Sequence, residues 1–256
     1  MIRLDKYLAD MGIGTRSEVK QYLKKGLVTV NGTPEKRPER KICEGTDIVA
    51  FQGKTISYAE YEYYMFYKPA GCVSAVRDNR HKTVLDYLKG AARKDLFPVG
   101  RLDIDTEGLL LITNDGPLCH ELLSPTKHVP KTYYARVKGQ VTKEDIRKFR
   151  QGVDIGDETL TAPAELEILT VSETPGTLTA SPESEAFTAS PESGTSEILL
   201  TITEGRFHQV KRMFEAVGKQ VVYLKRLSMG SLTLDENLSP GEYRSLTEQE
   251  LLLLKV

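Results

Sequence analysis

The sequence predicts an α+β fold in two parts, a small N-terminal domain over residues 1–58 and a larger domain over residues 59–256. Helix-like and strand-like apolar patterns are intermixed without a regular strand–helix–strand repeat, which favours a mixed, largely antiparallel sheet flanked by helices. Hydrophobic residues make up 39% of the 256 residues and charged residues 28%, as is typical of a globular chain with a substantial core. The first sixty residues combine two short helical patterns with a hairpin pattern.

The two N-terminal helices are predicted from apolar spacing and capping residues. The first helix has apolar residues at the i, i+3, i+4 and i+7 positions: Leu4, Tyr7, Leu8 and Met11. Gly12 and Gly14 interrupt that pattern, and Thr15-Arg-Ser-Glu18 matches a capping box that starts a second helix. Gly26 is placed to end it.

A hairpin and a cationic surface complete the small domain. LVTVNG (27–32) alternates like a strand and stops at an Asn-Gly turn, and DIV (47–49) is the candidate partner strand. Residues 1–56 carry eleven Lys/Arg against seven Asp/Glu, which indicates a surface for a phosphate backbone. The candidate RNA-binding side chains here are Arg3, Arg16, Lys20, Lys24 and Lys25.

The larger domain begins with a tyrosine-rich stretch, YAEYEYYMFYKPAG (58–71), whose alternating side chains indicate a strand ended by a Lys-Pro-Ala-Gly turn. We expect most of these tyrosines to pack in the core, although aromatic rings can also stack on bases. Further strands are predicted at 109–113, 133–138, 165–170, 198–203 and 220–224. Helices are predicted at 83–90, 117–123, 142–151 and 208–217.

Residues 171–197 differ in composition from the rest of the chain. They contain five acids and no base, and TASPES occurs twice, at 179–184 and 188–193. This Ser/Thr/Pro/Glu pattern fits neither a helix nor a strand, so we expect a mobile, acidic insertion in a surface hairpin.

GRLDIDTEGLLLITNDG (100–116) places three carboxylates within five positions. A calcium loop counted from Asp103 needs a bidentate Glu at its twelfth position, where this chain has Asn114, so that interpretation fails. A catalytic pair formed by Asp103 and Asp105, or a turn capped by Asp105 and Thr106, both remain open on the residues alone.

Several segments together resemble known families. RLDKYLADMGIGTRSEVKQYLKKGLVTVNG is similar to the S4 RNA-binding domain, whose RNA-binding surface is built chiefly from its second helix and the following loop. GRLDIDTEGLLLITNDG, KTYYARV (131–137), EGRFHQVKRMFEAVG (204–218) and LSPGEYRSLTEQE (238–250) resemble motifs of the pseudouridine synthases. The resemblance covers nearly the whole chain apart from 174–197 and is greatest to the small-subunit ribosomal RsuA group; the large-subunit RluB, RluE and RluF groups share the motifs.

The resemblance implies that the protein isomerises a uridine of 16S ribosomal RNA, of the uridine 516 type. It assigns the catalytic carboxylate to Asp103, a neighbouring cation to Lys211, and stacking on the flipped uracil, with help in moving the C5 proton, to Tyr133. Asp103 would attack C1′, attack C6 or remove the C2′ proton, and the sequence does not choose among these. Asp105 and Glu107 are left with turn and polar supporting roles. Further RNA contacts are expected from Arg101, Arg206, His208 and Arg212.

Two alternatives to 16S modification are kept: a synthase acting on 23S RNA, and a non-catalytic S4-domain factor for ribosome assembly. An isomerisation needs no cofactor, and the scattered Cys43, Cys72 and Cys119 and four histidines predict no metal site. No apolar run is long enough to span a membrane and the N-terminus lacks signal-peptide features, so we expect a cytoplasmic protein. The expected state is a monomer whose partner is 16S RNA or a small-subunit assembly intermediate.

Overall fold

The computed structural model describes residues 1–91, 93–172 and 194–255. Its N-terminal part packs two helices against short strands around a core that includes Leu4, Leu8, Val19, Leu23 and Val49. The elements are β1 (Ile2–Arg3), α1 (Leu4–Asp10), α2 (Arg16–Lys24), β2 (Val28–Val30), β3 (Thr33–Pro34), β4 (Lys41–Ile42), β5 (Val49–Phe51) and β6 (Lys54–Ile56).

The capping box and the Asn-Gly turn predicted in the N-terminal part are both present. The Thr15 side chain accepts from the backbone N–H of Glu18, and the Glu18 carboxylate accepts from the backbone N–H of Thr15 at 2.7 Å, which forms the capping box of α2. Asn31 and Gly32 both have positive φ, 53° and 79°, as a tight hairpin turn requires. Strand β2 pairs antiparallel with β3 across that turn and with β5 on its other side.

The larger part contains longer strands and four further α-helices. The strands are β7 (Tyr63–Lys68), β8 (Phe97–Pro98), β9 (Glu107–Thr113), β10 (Lys131–Lys138), β11 (Glu165–Ser172), β12 (Thr195–Ile202), β13 (Gln220–Met229), β14 (Leu232–Thr233) and β15 (Tyr243–Ser245). The helices are α3 (Gly116–Leu123), α4 (Lys143–Gln151), α5 (Gln209–Glu215) and α6 (Glu248–Leu254).

These strands form one mixed sheet of nine strands. Seven of them follow the order β11-β12-β10-β13-β9-β7-β15, and β14 and β8 pair at the sides with β13 and β9. The pairings are antiparallel except that of β9 with β13, which is parallel and joins Glu107 to Lys225 and Gly108 to Arg226. This parallel pairing joins the two halves of the sheet, so it sets the relative position of the residues on either side.

The elements predicted from apolar periodicity overlap those observed, with one shift and one change of type. The partner strand predicted at 47–49 is β5, Val49–Phe51, two residues later. The helix predicted at 83–90 is a short 3-10 helix, Val84–Tyr87, because Thr83 and Asp86 cap each other across a single turn. Helix α6 and the short strands β1, β3, β4, β6, β8, β14 and β15 were not predicted. The strands have two or three residues each and carry no measurable period, and the four apolar residues of α6 are consecutive, Leu251–Leu254, so they show no helical spacing.

The segment around residue 58 contacts both parts of the chain. The Tyr58 hydroxyl donates to Asp10 at 3.1 Å, and Arg93 lies 3.6 Å from the same carboxylate and donates to the carbonyl of Ala59. A domain boundary between 58 and 59 stays a prediction.

The acidic insertion joins two paired strands. Strands β11 and β12 are antiparallel, with Ser172 opposite Thr195. The TASPES repeats and the expected mobility of the insertion lie outside the described residues. Within the described ranges, no helix is long and apolar enough to cross a membrane.

Candidate active site

Asp103 lies in a turn that leads directly into β9. Gly100 has φ +77°, and the backbone N–H of Thr106 donates to the carbonyl of Asp103 at 3.1 Å, which closes the turn. The Asp103 side chain keeps 25% of its surface exposed. The carboxylate therefore lies in the turn before the N-terminal end of β9 rather than within a strand.

A buried lysine donates hydrogen bonds to the backbone carbonyls of this turn. Lys68, at the end of β7, donates to the carbonyls of Thr106 at 2.8 Å and Ile104 at 3.4 Å. Burial lowers the pKa of Lys68, and the nearby carboxylates only partly oppose that effect. Ser74 adds a reciprocal pair of 3.0 Å hydrogen bonds with the backbone of Leu102. These contacts fix the turn on both sides of Asp103.

Gly108 allows β9 and β13 to approach closely. Its φ is +104°, and a Cβ added there would lie 2.2 Å from the carbonyl oxygen of Arg226. Only glycine fits this position without displacing backbone. The glycine of the Asp-Thr-Glu-Gly sequence is therefore explained by the parallel pairing that adjoins the Asp103 turn.

Lys211 bridges two of the three carboxylates. Its Nζ lies 3.2 Å from Oδ2 of Asp103 and 2.7 Å from Oδ1 of Asp105, at the start of α5. Burial lowers the pKa of Lys211, but hydrogen bonds to Asp105 and Asp103 outweigh burial and leave it raised. Burial likewise raises the pKa of Asp105, and Lys211 outweighs that effect and leaves it lowered. Lys211 is thus held as a cation beside Asp103, and Asp105 shares it.

The third acid, Glu107, has a different partner. It opens β9 and accepts a 2.8 Å hydrogen bond from the hydroxyl of Tyr223 on β13. This contact agrees with the supporting role expected of Glu107. In the three described ranges, no group of three or more His, Cys, Asp or Glu side chains is placed to hold a metal ion.

A cavity of about 670 Å³ opens beside Asp103. Tyr133, buried on β10, forms part of its wall together with Asp103, and so do Arg101 and His208. The structure therefore brings Asp103, Tyr133 and Lys211 to one place from three separate segments of the chain. Their catalytic roles remain predictions.

His208 and an aromatic residue that was not predicted stand at the same cavity. His208 has φ +48° and its Nε2 lies 3.6 Å from Oδ1 of Asp103. Its ring stacks on that of Phe207 with 3.8 Å between centroids, and Phe207 is 70% exposed. An exposed aromatic ring at a cavity suits base stacking. Only the position of Phe207 inside the EGRFHQVK motif could have indicated it from the sequence.

Arg206 and Arg212 contact other parts of the protein. Arg206 donates to the carbonyls of Thr159 at 2.8 Å and Leu160 at 2.7 Å. Arg212 donates to Asp157 at 2.5 Å and to the carbonyl of Ile155. The two guanidinium groups thus hold the segment 155–160 against α5. Their contact with RNA stays a prediction.

The cations predicted in the small domain are on or near α2. Four of them are exposed: Arg16, Lys20, Lys24 and Lys25. The guanidinium of Arg3 forms a bidentate ion pair with Asp5, with both hydrogen bonds 3.0 Å long. None of these five residues lines the Asp103 cavity. Among the residues described, the expected RNA-binding side chains therefore form two separate sets.

Comparison with known proteins identifies the family. The RNA pseudouridylate synthase profile matches residues 62–216, and the S4 domain profile matches residues 2–48. The chain belongs to the RNA pseudouridylate synthase family. It is therefore an enzyme, an isomerase, with an S4 RNA-binding domain at its N-terminus, and not the non-catalytic S4-domain factor that was one alternative.

Similar proteins span the same length as this pseudouridine synthase. A Bacillus subtilis protein named uncharacterized RNA pseudouridine synthase YtzG is 48% identical over 99% of this chain and 98% of its own. Ribosomal small subunit pseudouridine synthase A of Vibrio cholerae is 41% identical over 98% of each chain. Ribosomal large subunit pseudouridine synthase B of Bacillus subtilis is 37% identical over 100% of this chain and 96% of its own.

A solved structure shares the fold. The crystal structure of a pseudouridylate synthase is 34% identical, covers 99% of this chain and 100% of its own, and superposes with a TM-score of 0.64. The S4 domain followed by an antiparallel-rich mixed sheet with helices is thus the family arrangement, as the sequence predicted.

Proposed function

We propose that this enzyme converts one uridine of 16S ribosomal RNA, of the uridine 516 type, to pseudouridine, with Asp103 as the catalytic carboxylate. The supporting observation is the 3.2 Å contact between Asp103 and Lys211 at a cavity whose wall includes Tyr133. Nucleophilic attack or proton removal needs a carboxylate aimed at the substrate, and the Lys211 contact holds that of Asp103 in place. The choice of 16S RNA rests on the 41% identity to a small-subunit synthase.

The reaction rearranges bonds within one nucleotide. The bond from uracil N1 to ribose C1′ breaks, the base turns, and a bond from C5 to C1′ forms. The proton on C5 then leaves and N1 takes up a proton, so the product is an isomer of uridine. The target uridine enters the cavity by leaving the RNA stack, and Tyr133 supports the base by stacking. Arg101, His208, Arg206 and Arg212 contact the RNA strand around it.

The S4 domain contributes affinity in this proposal. The cations on α2, with Arg3, bind phosphates of the ribosomal RNA or of a small-subunit assembly intermediate. The enzyme acts as a monomer in the cytoplasm. Its three cysteines are unpaired, as suits a reducing compartment.

A second candidate substrate is 23S RNA, because a large-subunit synthase of Bacillus subtilis is 37% identical over the whole chain. Mapping pseudouridines in both ribosomal RNAs from a strain lacking the gene distinguishes the two substrates. Loss of one 16S pseudouridine is the expected result, and loss of a 23S pseudouridine instead would overturn the proposed substrate.

The catalytic assignment is tested with Asp103→Asn and with Asp105→Asn as its matched control. Both variants replace a carboxylate that contacts Lys211. Asp103→Asn should lower tritium release from C5-labelled uridine by at least about 10⁴-fold, since removing a group that forms bonds to the substrate costs about that much or more. RNA affinity should change less than about twofold. Turnover retained by Asp103→Asn in a clean preparation would refute the assignment.

A further inference from the structure

Two buried cations in the wall of the Asp103 cavity have been given no role so far, although Lys131 is the first residue of the KTYYARV motif. Arg226 on β13 is 2% exposed and Lys131 on β10 is 7% exposed, and both line the cavity. Neither forms an ion pair with any of the residues that the structure describes. A buried charge without an opposite charge is costly unless a ligand provides one.

The hydrogen bonds of these two cations are incomplete. The Nε of Arg226 donates to the carbonyl of Leu109 at 2.8 Å, but its Nη2 is buried and has no hydrogen-bond partner. The Nζ of Lys131 donates to the carbonyl of Val129 at 2.8 Å and so has two further hydrogens to give. An arginine stays protonated in proteins, so its buried charge is permanent.

The acids of the same cavity are paired with other groups. Asp78 accepts from the backbone N–H groups of Arg80 and His81, and Asp103 lies beside Lys211. Glu204 binds Gln209 and Arg206. Each of these three carboxylates therefore has other partners, and none of them forms an ion pair with Arg226 or Lys131.

The strand register places both cations next to Tyr133. Arg226 is directly opposite Tyr133 across the β10–β13 pairing, and opposite residues have Cβ atoms about 5 Å apart on the same face of a sheet. Lys131 precedes Tyr133 by two residues on β10, and strand side chains two apart share a face. Burial lowers the pKa of Lys131 and the charge of Arg226 lowers it further, as expected of close neighbours.

We infer that Arg226 and Lys131 bind the carbonyl oxygens of the target uracil and stabilise its negative charge when the N1–C1′ bond breaks. This inference rests on the proposed reaction. The electron pair of the N1–C1′ bond leaves with the base and spreads over N1, O2 and O4, while Asp103 bonds to C1′ or takes the C2′ proton. The uracil loses this negative charge when C5 bonds to C1′, which releases the Asp103 carboxylate or goes with return of the C2′ proton. The C5 proton is then removed and N1 takes up a proton, so the product is neutral. Preorganised donors directed at developing charge are an efficient form of catalysis.

A phosphate of the RNA backbone is the other oxygen anion that these cations could bind. Their depth favours the base, because backbone phosphates lie along the strand outside a pocket that takes a flipped nucleotide. The two sources give different kinetics. Loss of a contact to the departing uracil lowers kcat. Loss of a contact to a phosphate instead weakens RNA binding and makes that binding less dependent on salt.

The kinetic test uses Arg226→Gln, Lys131→Met and, as a matched control, Arg136→Gln, which removes an exposed cation from β10. On the ribosomal RNA that the wild type converts, Arg226→Gln should lower kcat by about 100-fold, the effect of removing one donor to a developing anion, with RNA affinity within about twofold. Lys131→Met should lower kcat by a smaller factor, and the control should not. Arg226→Lys should restore part of the activity.

A uracil that leaves more easily should reduce the loss of kcat caused by Arg226→Gln. Substrate RNA that carries 5-fluorouridine at the target position releases a more acidic base, so the loss in Arg226→Gln should shrink by about tenfold in single-turnover cleavage of the N1–C1′ bond. Two results would overturn the inference and indicate that Arg226 and Lys131 bind a phosphate. One is an equal loss of rate in Arg226→Gln with uridine and with 5-fluorouridine, and the other is a raised Kd for RNA with an unchanged kcat.

A binding measurement separates this inference from the proposed function. Free 5-fluorouracil is titrated with the intact protein by ¹⁹F NMR at pH values below and above its ionisation. The wild type should bind the anion more tightly than the neutral base, and Arg226→Gln should lose that preference while its melting temperature shows that it is folded. Equal binding of both forms by the wild type, or no binding, would overturn the inference even if RNA turnover is confirmed. The anion preference would stand even if neither ribosomal RNA proved to be the substrate.

Discussion

Cationic side chains occur in two regions of this synthase, and their surroundings differ. Around the Asp103 cavity, Lys211, Lys131 and Arg226 are largely buried and fixed by carboxylates or backbone carbonyls. On α2, Arg16, Lys20, Lys24 and Lys25 point into solvent. A buried cation acts through its position, so its loss should affect the chemical step, whereas exposed cations add small, salt-screened contributions to affinity.

The largest effect in this comparison is expected from Lys211→Met. It removes the cation that lies 3.2 Å from Asp103, so kcat should fall by about 10³-fold with little change in RNA affinity. Lys211→Arg should retain most of the activity because it keeps the charge. The measurement is tritium release at saturating RNA.

Lys219→Met is the matched control for Lys211→Met. Lys219 follows α5 and, like Lys211, pairs with a carboxylate, Asp145 at 3.0 Å, but that carboxylate is not the one at the proposed active site. The Lys219→Met substitution should lower the free energy of unfolding and leave kcat unchanged. Equal kcat losses in the two variants would remove the distinction between a positioned cation and any buried ion pair.

Gly108→Ala should give the next largest effect, through the backbone. The added methyl group would meet the Arg226 carbonyl oxygen at 2.2 Å, and φ at Gly108 is +104°, so unfolding free energy should fall by about 3 kcal/mol. Gly116→Ala is the control, since nothing lies within 4 Å of the added atom there. Urea unfolding measures both. A Gly108→Ala protein as stable as the wild type would show that β9 and β13 need not approach so closely.

Neutralising the four α2 cations together should act only on affinity. The combined variant Arg16→Gln, Lys20→Gln, Lys24→Gln, Lys25→Gln should weaken RNA binding and reduce the slope of log K against log salt by about three. Conversion at saturating RNA should be unchanged. A lower kcat at saturation would mean that α2 also positions the target uridine.

Asp105→Asn should give the smallest effect, and it should depend on pH. The pKa of Asp105 lies below its ordinary value in the folded state, so its pairing with Lys211 stabilises the fold above the unfolded pKa of 3.8 and is lost as pH falls through the lower folded value. Because Asp105 is 65% exposed, the loss at pH 7 should stay below about 1 kcal/mol. Unfolding at pH 7 and near pH 3 tests this, and a difference that grows on acidification would contradict it.

The sequence predicted the main elements because long periodic segments and capping signals act locally. The Thr15–Glu18 box and the Asn31-Gly32 turn are examples that the structure contains. The family motifs led to Asp103, Tyr133 and Lys211. The fold places Asp103 and Tyr133 in the wall of one cavity and Lys211 in contact with Asp103.

The remaining features of the site depend on contacts between distant strands. Arg226 is an ordinary basic residue in the sequence, and only the register opposite Tyr133 and the buried, unpartnered Nη2 distinguish it. The sharing of Lys211 by Asp105 depends on the turn at 103–106, whereas the sequence suggested only a supporting role. Such features arise from three-dimensional packing and leave no local pattern to read.

The parallel pairing of β9 with β13 has a consequence for truncated chains. The family profile ends at residue 216, so a protein cut there would keep Asp103, Tyr133 and Lys211. It would lack β13, the strand that pairs with both β9 and β10. Each of those strands would then have an open edge where the sheet is now continuous, which favours self-association over a working cavity. Possession of all three motif residues is therefore not enough to define the smallest active fragment.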